Sequence, residues 1–131
     1  MRAVLIEDEA PAAQRLAQLL SQHPEVQLQA RLASVEEAVA WFSQHPAPDL
    51  IFADIQLSDG LSFEIFDAVA VRSPIVFTTS YDEYALQAFS LHSVDYLLKP
   101  INAAHLRRAL GKYQFWQQQT PAHQQALGNA Q

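Results

Sequence analysis

The sequence predicts an open α/β fold, in which a five-stranded parallel sheet has helices on both faces. Five consecutive βα units, (βα)5, form this doubly wound sheet, with strand order 2-1-3-4-5. Short strand-like runs alternate along the chain with stretches whose apolar residues have helical spacing, which is the pattern of such a sheet. The 131 residues suffice for one domain with a core, because half of them are hydrophobic. A closed eight-stranded barrel would need about 250 residues.

The five strand-like runs differ in how deeply they are predicted to be buried. The continuous runs, rich in β-branched or aromatic residues, indicate strands covered on both faces. The second run alternates apolar and polar residues, which is typical of an edge strand with one face in water. The runs are AVLI at 3–6, VQLQA at 26–30, LIFADI at 50–55, IVFTT at 75–79 and VDYLL at 94–98.

Start signals for helices follow these runs. Pro11 is placed as a first-turn proline, and Ser34 with Glu37 three residues later forms a predicted capping box. Ser62, Asp82 and Asn102 are the predicted N-caps of helices beginning at 63, 83 and 103.

The composition changes near residue 116. We expect residues 1–116 to form the domain, and the Gln-rich residues 117–131 to be a tail or linker toward a missing output domain. Extension of the last helix through Trp116 is the alternative, whereas Pro121 argues against a longer helix.

Composition also narrows the class of partner. The net charge of -6 predicts that the domain repels nucleic acid and anionic membranes. The chain has no cysteine, no signal-peptide pattern and no apolar run long enough for a membrane span. We therefore expect a cytoplasmic location without membrane contact.

Polar residues collect where the predicted strands end. Because ligands bind beyond the carboxyl ends of strands in open α/β sheets, these groups are predicted to converge at one edge. Crowded carboxylates without cysteine or histidine favour a hard cation, Mg²⁺ first. Metal, lysine and hydroxyl together suit a transferring phosphoryl group, with Asp54 as nucleophile. The residues are Glu7, Asp8 and Glu9 after the first strand, Asp54 in the third, Thr78, Thr79 and Ser80 at the fourth, and Lys99 after the fifth.

These residues match a known family. The pieces VLIEDE, DLIFADIQLSDG, IVFTTSYDEYA and VDYLLKPI, in this order, resemble the receiver domain of two-component response regulators. The last two resemble the LytTR-type (LytR/AlgR) group. The resemblance implies a flavodoxin-like receiver fold. It also implies that Glu7 and Asp8 are the acidic metal pair, with Mg²⁺ held further by Asp54 and the Gln56 backbone carbonyl. Asp54 would be the phosphoacceptor, Thr79 and Tyr96 the switch residues, and Lys99 the lysine before a cis Pro100.

The resemblance also implies function and partners. Asp54 would accept a phosphoryl group from a sensor histidine kinase, and the domain would be no enzyme beyond Mg²⁺-dependent self-phosphorylation and self-dephosphorylation. Output would be transcriptional, with DNA contacted only through a LytTR domain outside this chain. Phosphorylation is predicted to promote a homodimer through the fourth helix, fifth strand and fifth helix, with Tyr84, Ala88, Leu91, Arg107 and Arg108 as candidate contacts.

Three alternatives stay open at this point. A haloacid-dehalogenase-like phosphatase also uses Asp, Mg²⁺ and Lys, but it needs a second Asp where this chain has Gln56. A flavodoxin-like cofactor carrier needs a hydroxyl-rich phosphate loop, whereas the acidic segment EDEAPA would repel phosphate. A degenerate receiver would act only as a protein-interaction module.

Overall fold

The parallel sheet is visible in a computed structural model that describes residues 1–80 and 93–130, with side chains as far as Gln118. The sheet has the order β2-β1-β3-β6-β7. It consists of β1 Arg2–Ile6, β2 Gln27–Leu32, β3 Leu50–Asp54, β6 Ile75–Thr79 and β7 Ser93–Leu98. All neighbouring pairs are parallel. Numbered as five core strands, the order is 2-1-3-4-5, so the predicted fold class is confirmed.

The burial of the strands follows the sequence pattern. Every residue of β3 and β6 is buried. The edge strand β2 alternates exposed and half-buried residues before it ends in buried Leu32. The central strands are therefore buried along their whole length, up to the carboxyl edge of the sheet.

A small hairpin follows the third core strand and was not predicted as a separate element. Strands β4 Gln56–Leu57 and β5 Gly60–Leu61 pair antiparallel. Gly60 has φ of 147°, a backbone conformation that glycine adopts far more readily than other residues.

Helices cover both faces of the sheet. The described helices are α1 Ala10–Leu20, α2 Val35–Gln44, α3 Phe63–Ala68 and α4 Ala103–Ala130. The helix predicted over 83–91, with its cap Asp82, lies outside the described residues. One apolar cluster lies between the sheet and helices α1 and α4, and the other between the sheet and helices α2 and α3.

The predicted helix caps met different outcomes. Ser34 accepts the N–H of Glu37 at 3.0 Å, and Asn102 accepts the N–H of His105 at 2.8 Å, as predicted. Pro11 lies in the first turn of α1, also as predicted. Ser62 occupies the N-cap position of α3, but its side chain makes no capping bond because its backbone is already helical.

The C-terminal helix is longer than predicted. Helix α4 passes Trp116 and Pro121 and ends at Ala130, so the expectation that Pro121 limits the helix is wrong. Glutamine and alanine on both sides of Pro121 are good helix formers, and a proline removes only its own N–H bond and adds a local clash. Among the residues of α4 whose side chains are described, Tyr113 is the last in the core, whereas Phe115 and Trp116 are exposed.

Candidate functional site

Two acidic side chains are buried at the carboxyl edge of the sheet. Glu7 follows β1 directly, and Asp54 is the last residue of the adjacent strand β3. Their exposed fractions are only 7% and 5%. Burying carboxylates is costly unless a cation or a proton compensates the charge. The strands thus place two like charges where a compensating group is required.

Lys99 is the cation nearest to both carboxylates. It follows β7, and its backbone N–H donates to the carbonyl oxygen of Thr79 at 2.7 Å, which fixes the chain next to β6. Its Nζ donates to Oε1 of Glu7 and, at 3.0 Å, to Oδ2 of Asp54. The peptide bond from Lys99 to Pro100 is cis, as predicted.

The pKa values of Glu7 and Lys99 are shifted by burial and by the hydrogen bonds and charges of their neighbours. Burial, together with the hydrogen bond and charge of Asp54, raises the pKa of Glu7 from 4.5 to about 7, although Lys99 opposes the rise. Burial alone would lower the pKa of Lys99, but its bonds to Glu7 and Asp54 outweigh that effect and raise it. Lys99 is therefore charged, and the Glu7 carboxyl holds a proton more firmly than an exposed glutamate.

A cluster of carboxylate oxygens suits a hard divalent cation. Among the described residues, Glu7, Glu9 and Asp54 can each offer an oxygen, and these atoms lie within 4.8 Å of one another. Glu9 is exposed, and its N–H donates to Oε2 of Glu7 at 3.3 Å. Carboxylate oxygen is the donor type that Mg²⁺ and Ca²⁺ take in proteins, so the residues fit such an ion.

The cluster differs in one member from the predicted metal set. Asp8 is half-buried and faces a neighbouring hollow next to Arg31 and Ala33, so it is not in the described cluster. Glu9 occupies the third place instead. The acidic run at 7–9 indicated this region, but sequence alone does not show which of three consecutive acids turns toward Asp54. The role of Asp8 as a metal ligand stays a prediction.

Hydroxyl groups line the same edge from β6. Thr78 is the register partner of Asp54, and Thr79, one residue further, pairs with Leu98. Both threonines are buried. Thr78 and Ser80 also line a hollow of about 440 Å³ that Lys99 and Arg15 share. The structure thus brings the hydroxyl segment next to Asp54, as the sequence indicated.

The remaining predicted residues, Tyr96 and Gln56, lie on β7 and at the start of the hairpin. Tyr96 is half-buried on β7 and is the register partner of Phe77. Gln56 starts the hairpin, and its N–H donates to Oδ1 of Asp54 at 3.3 Å. At the hairpin's tip lies Asp59, which sequence reasoning missed, although the turn signal SDG marked the loop.

Comparison with known proteins agrees with this geometry. The family model described as response regulator receiver domain matches residues 3–111. The chain therefore belongs to the response regulator receiver family. The solved response regulatory domain of protein mrkE from Klebsiella pneumoniae is similar, with 34% identity and a TM-score of 0.76; the match covers 91% of this chain and 100% of that one.

The curated relatives indicate the subgroup. Sensory transduction protein LytT of Bacillus cereus is 39% identical over 116 residues, which is 86% of this chain and 47% of that protein. LytT of Enterococcus faecalis is 36% identical over 115 residues, with the same coverage. The chain thus spans about half the length of these relatives. The protein is a receiver domain of a two-component response regulator, and the matches give no support to the hydrolase, cofactor-carrier or interaction-only alternatives.

Among the described residues, no helix is both long and apolar enough to cross a bilayer.

Proposed function

We propose that Asp54 is the phosphoacceptor of this receiver domain and that a sensor histidine kinase is its phosphodonor. The observation that carries the proposal is the buried Asp54 carboxylate, bonded to Lys99 and adjacent to Glu7 at the carboxyl edge of the sheet. An Asp54 oxygen attacks phosphorus, and the phosphorus–nitrogen bond of the phosphohistidine breaks. The imidazole nitrogen keeps the electron pair and is then protonated.

The chain's own residues would hold and neutralise the phosphoryl group. Lys99 is placed to bind a phosphoryl oxygen, since its Nζ already contacts Asp54. The hydroxyl of Thr79 is assigned a second such bond. The ligands proposed for Mg²⁺ are Glu7, Asp8, Asp54 and the Gln56 carbonyl, and the carboxylate cluster supports adding Glu9. Mg²⁺ would neutralise charge on the phosphoryl oxygens during transfer.

Labelling with a small phosphodonor tests this assignment. Intact-mass measurement after incubation with acetyl phosphate and MgCl₂ should show one added phosphoryl group, which EDTA and the Asp54→Asn variant should both abolish. Asp67→Asn, at an exposed position of α3, is the matched control and should label like the parent. Labelling of Asp54→Asn at the parent's rate would show that the phosphoacceptor is another residue.

The proposed output is a change in association. Phosphorylation would draw Thr79 toward Asp54 and let Tyr96 turn inward, which would alter the face predicted for the fourth helix, β7 and α4. The described part of this face is rich in cations: Arg107, Arg108 and Lys112 are exposed on α4. A two-fold contact repeats each interaction, so one substitution acts twice.

Sedimentation with and without beryllofluoride, which mimics the aspartyl phosphate, tests the dimer. We expect a shift toward dimer that Arg107→Glu removes. A monomer in both states at concentrations well above micromolar would place dimerisation outside this domain. DNA binding through a LytTR output domain is proposed for the longer protein, on the likeness to the LytT relatives. The cytoplasmic location stays a prediction.

A further inference from the structure

The hairpin after Asp54 is attached to a helix that does not otherwise belong to the site. Both carboxylate oxygens of Asp59 accept backbone N–H groups at the start of α2. Oδ1 accepts from Val35 at 2.8 Å, and Oδ2 accepts from Glu36 at 3.0 Å. Residues 59 and 35 are far apart in sequence, so this contact joins two separate loops at the carboxyl edge of the sheet.

These two hydrogen bonds favour an ionised carboxylate at position 59 over a neutral polar side chain. The first N–H groups of a helix have no partner within the helix, and its N-terminus carries partial positive charge. The N–H groups of Val35 and Glu36 hold the pKa of Asp59 below its ordinary value, so the side chain is ionised at neutral pH. Ser34 already caps the same helix by accepting from Glu37, so Asp59 satisfies donors that the local cap leaves over.

The hairpin needs this attachment because its own pairing is minimal. Its ladder joins only Gln56 with Leu61 and Leu57 with Gly60. A hairpin of this size has little stability by itself. Its base is fixed where the N–H of Ser62 donates to the carbonyl of Ile55 at 2.8 Å.

Two further contacts fix the part of the hairpin that lies beyond its base. The N–H of Leu61 donates to Oε2 of Glu64 on α3 at 2.8 Å, which fixes one side. Asp59 fixes the tip to α2. Without Asp59, the tip would lose both of its described hydrogen bonds to α2.

The placement of this hairpin matters at Asp54. The N–H of Gln56 donates to Oδ1 of Asp54, so a displaced hairpin changes the orientation of the carboxylate. The Gln56 carbonyl, on the same residue, is a proposed metal ligand. Only two residues separate Asp59 from Gln56, so movement at the tip is transmitted over a short path.

We propose that Asp59 is a positioning residue, which fixes the hairpin to the N-terminus of α2 and so sets the geometry of Gln56 and Asp54 for Mg²⁺ binding. This inference rests on the proposed Mg²⁺-dependent phosphorylation of Asp54. Partners that orient metal ligands from outside the coordination shell typically change metal affinity by 10- to 100-fold.

The test compares variants that disturb α2 in different ways. Asp59→Ala removes both acceptors from the helix, and Asp59→Asn keeps one acceptor oxygen. Ser34→Ala is the matched control, because it removes a cap from the same helix without touching the hairpin. The direct readout is the unfolding midpoint as a function of MgCl₂ concentration, which reports binding to the folded protein. The second readout is the MgCl₂ concentration that half-saturates the rate of Asp54 labelling by acetyl phosphate.

We expect Asp59→Ala to need about tenfold more MgCl₂ in both readouts, with Asp59→Asn between it and the parent. Saturating MgCl₂ should bring the labelling rate of Asp59→Ala to within about twofold of the parent, because a bound ion would itself hold Asp54 and Gln56 in place. Ser34→Ala should lower the midpoint at every MgCl₂ concentration without changing the concentration needed. Equal MgCl₂ requirements in Asp59→Ala and the parent, or an equal increase in Ser34→Ala, would overturn the inference. Failure of the parent to respond to MgCl₂ or to label at Asp54 would instead refute the proposed function.

Discussion

Replacement of Glu7 by glutamine should make the metal-free domain less sensitive to pH. The Glu7 carboxyl is surrounded by Asp54, Glu9 and Lys99 and is 7% exposed. Burial and the neighbouring Asp54 raise its pKa to about 7. Glutamine has the size of a protonated glutamate and cannot ionise, so it keeps the site in one charge state.

The sign and size of the stability difference follow from the pKa of Glu7 in the folded protein and in the unfolded chain. Because the folded protein binds this proton more tightly than the unfolded chain, Glu7 lowers stability as pH rises from about 4.5 to about 7. At about 1.4 kcal/mol per pH unit, the full change is roughly 3 kcal/mol. Above the folded pKa the contribution is constant. We therefore expect Glu7→Gln to differ least from the parent near pH 5 and to be more stable than it at pH 8, by up to that amount.

Urea unfolding in EDTA between pH 5 and 8 measures this difference. All other titratable groups are common to both proteins, so the difference between parent and variant isolates position 7. The same series is then repeated in MgCl₂. Mg²⁺ should stabilise the parent more at high pH than at low pH, and it should stabilise the variant little at any pH. Parallel pH profiles of parent and Glu7→Gln in EDTA would refute the assignment of the proton to Glu7.

Three further changes test other parts of the molecule. Asp8→Ala should abolish Mg²⁺-dependent labelling measured by intact mass, and unchanged labelling would remove Asp8 from the ligand set in favour of Glu9. Asp95 is buried and accepts from Arg108 and Lys112, so Asp95→Ala should lower the free energy of unfolding in urea by about 1–3 kcal/mol, against about 0.5 or less for the exposed Arg107→Ala. A chain ending at residue 116 should keep the parent's thermal midpoint but lose helical circular dichroism per molecule; a clearly lower midpoint would extend the domain past the predicted boundary.

The sequence was sufficient for the fold because its signals are local and agree with one another. Continuous apolar runs predicted β3 and β6, and every residue of both strands is buried. The alternating run predicted an edge strand, and β2 lies at the edge of the sheet. The length of α4 was less predictable, because the cost of Pro121 competes with the helix propensity of the surrounding glutamines and alanines.

For the site, the sequence predicted which strand ends lie together but not which side chains contact one another. Topology brings Asp54 and Lys99 to one edge, and Nζ of Lys99 lies 3.0 Å from Oδ2 of Asp54. Whether Asp8 or Glu9 lies beside Glu7 and Asp54 depends on side-chain directions in a loop, for which residue type gives no signal. The contact of Asp59 with α2 depends on two loops meeting in space, so it is invisible along the chain.

The charges at this edge couple protonation of Glu7, binding of Mg²⁺ and phosphorylation of Asp54. Glu7, Glu9 and Asp54 supply three carboxylates against the one ammonium of Lys99, which leaves the ionised group negative. A proton on Glu7 or a divalent cation among the oxygens relieves this excess, so the two compete for the same carboxylate. A phosphoryl group on Asp54 would replace the carboxylate charge with about -1.5 to -2 on three acceptor oxygens, so the site would become more negative by about 0.5 to 1 and would gain oxygen ligands for a cation. Phosphorylation should therefore favour the cation over the proton, and by thermodynamic linkage Mg²⁺ should stabilise the phosphorylated domain to the same degree.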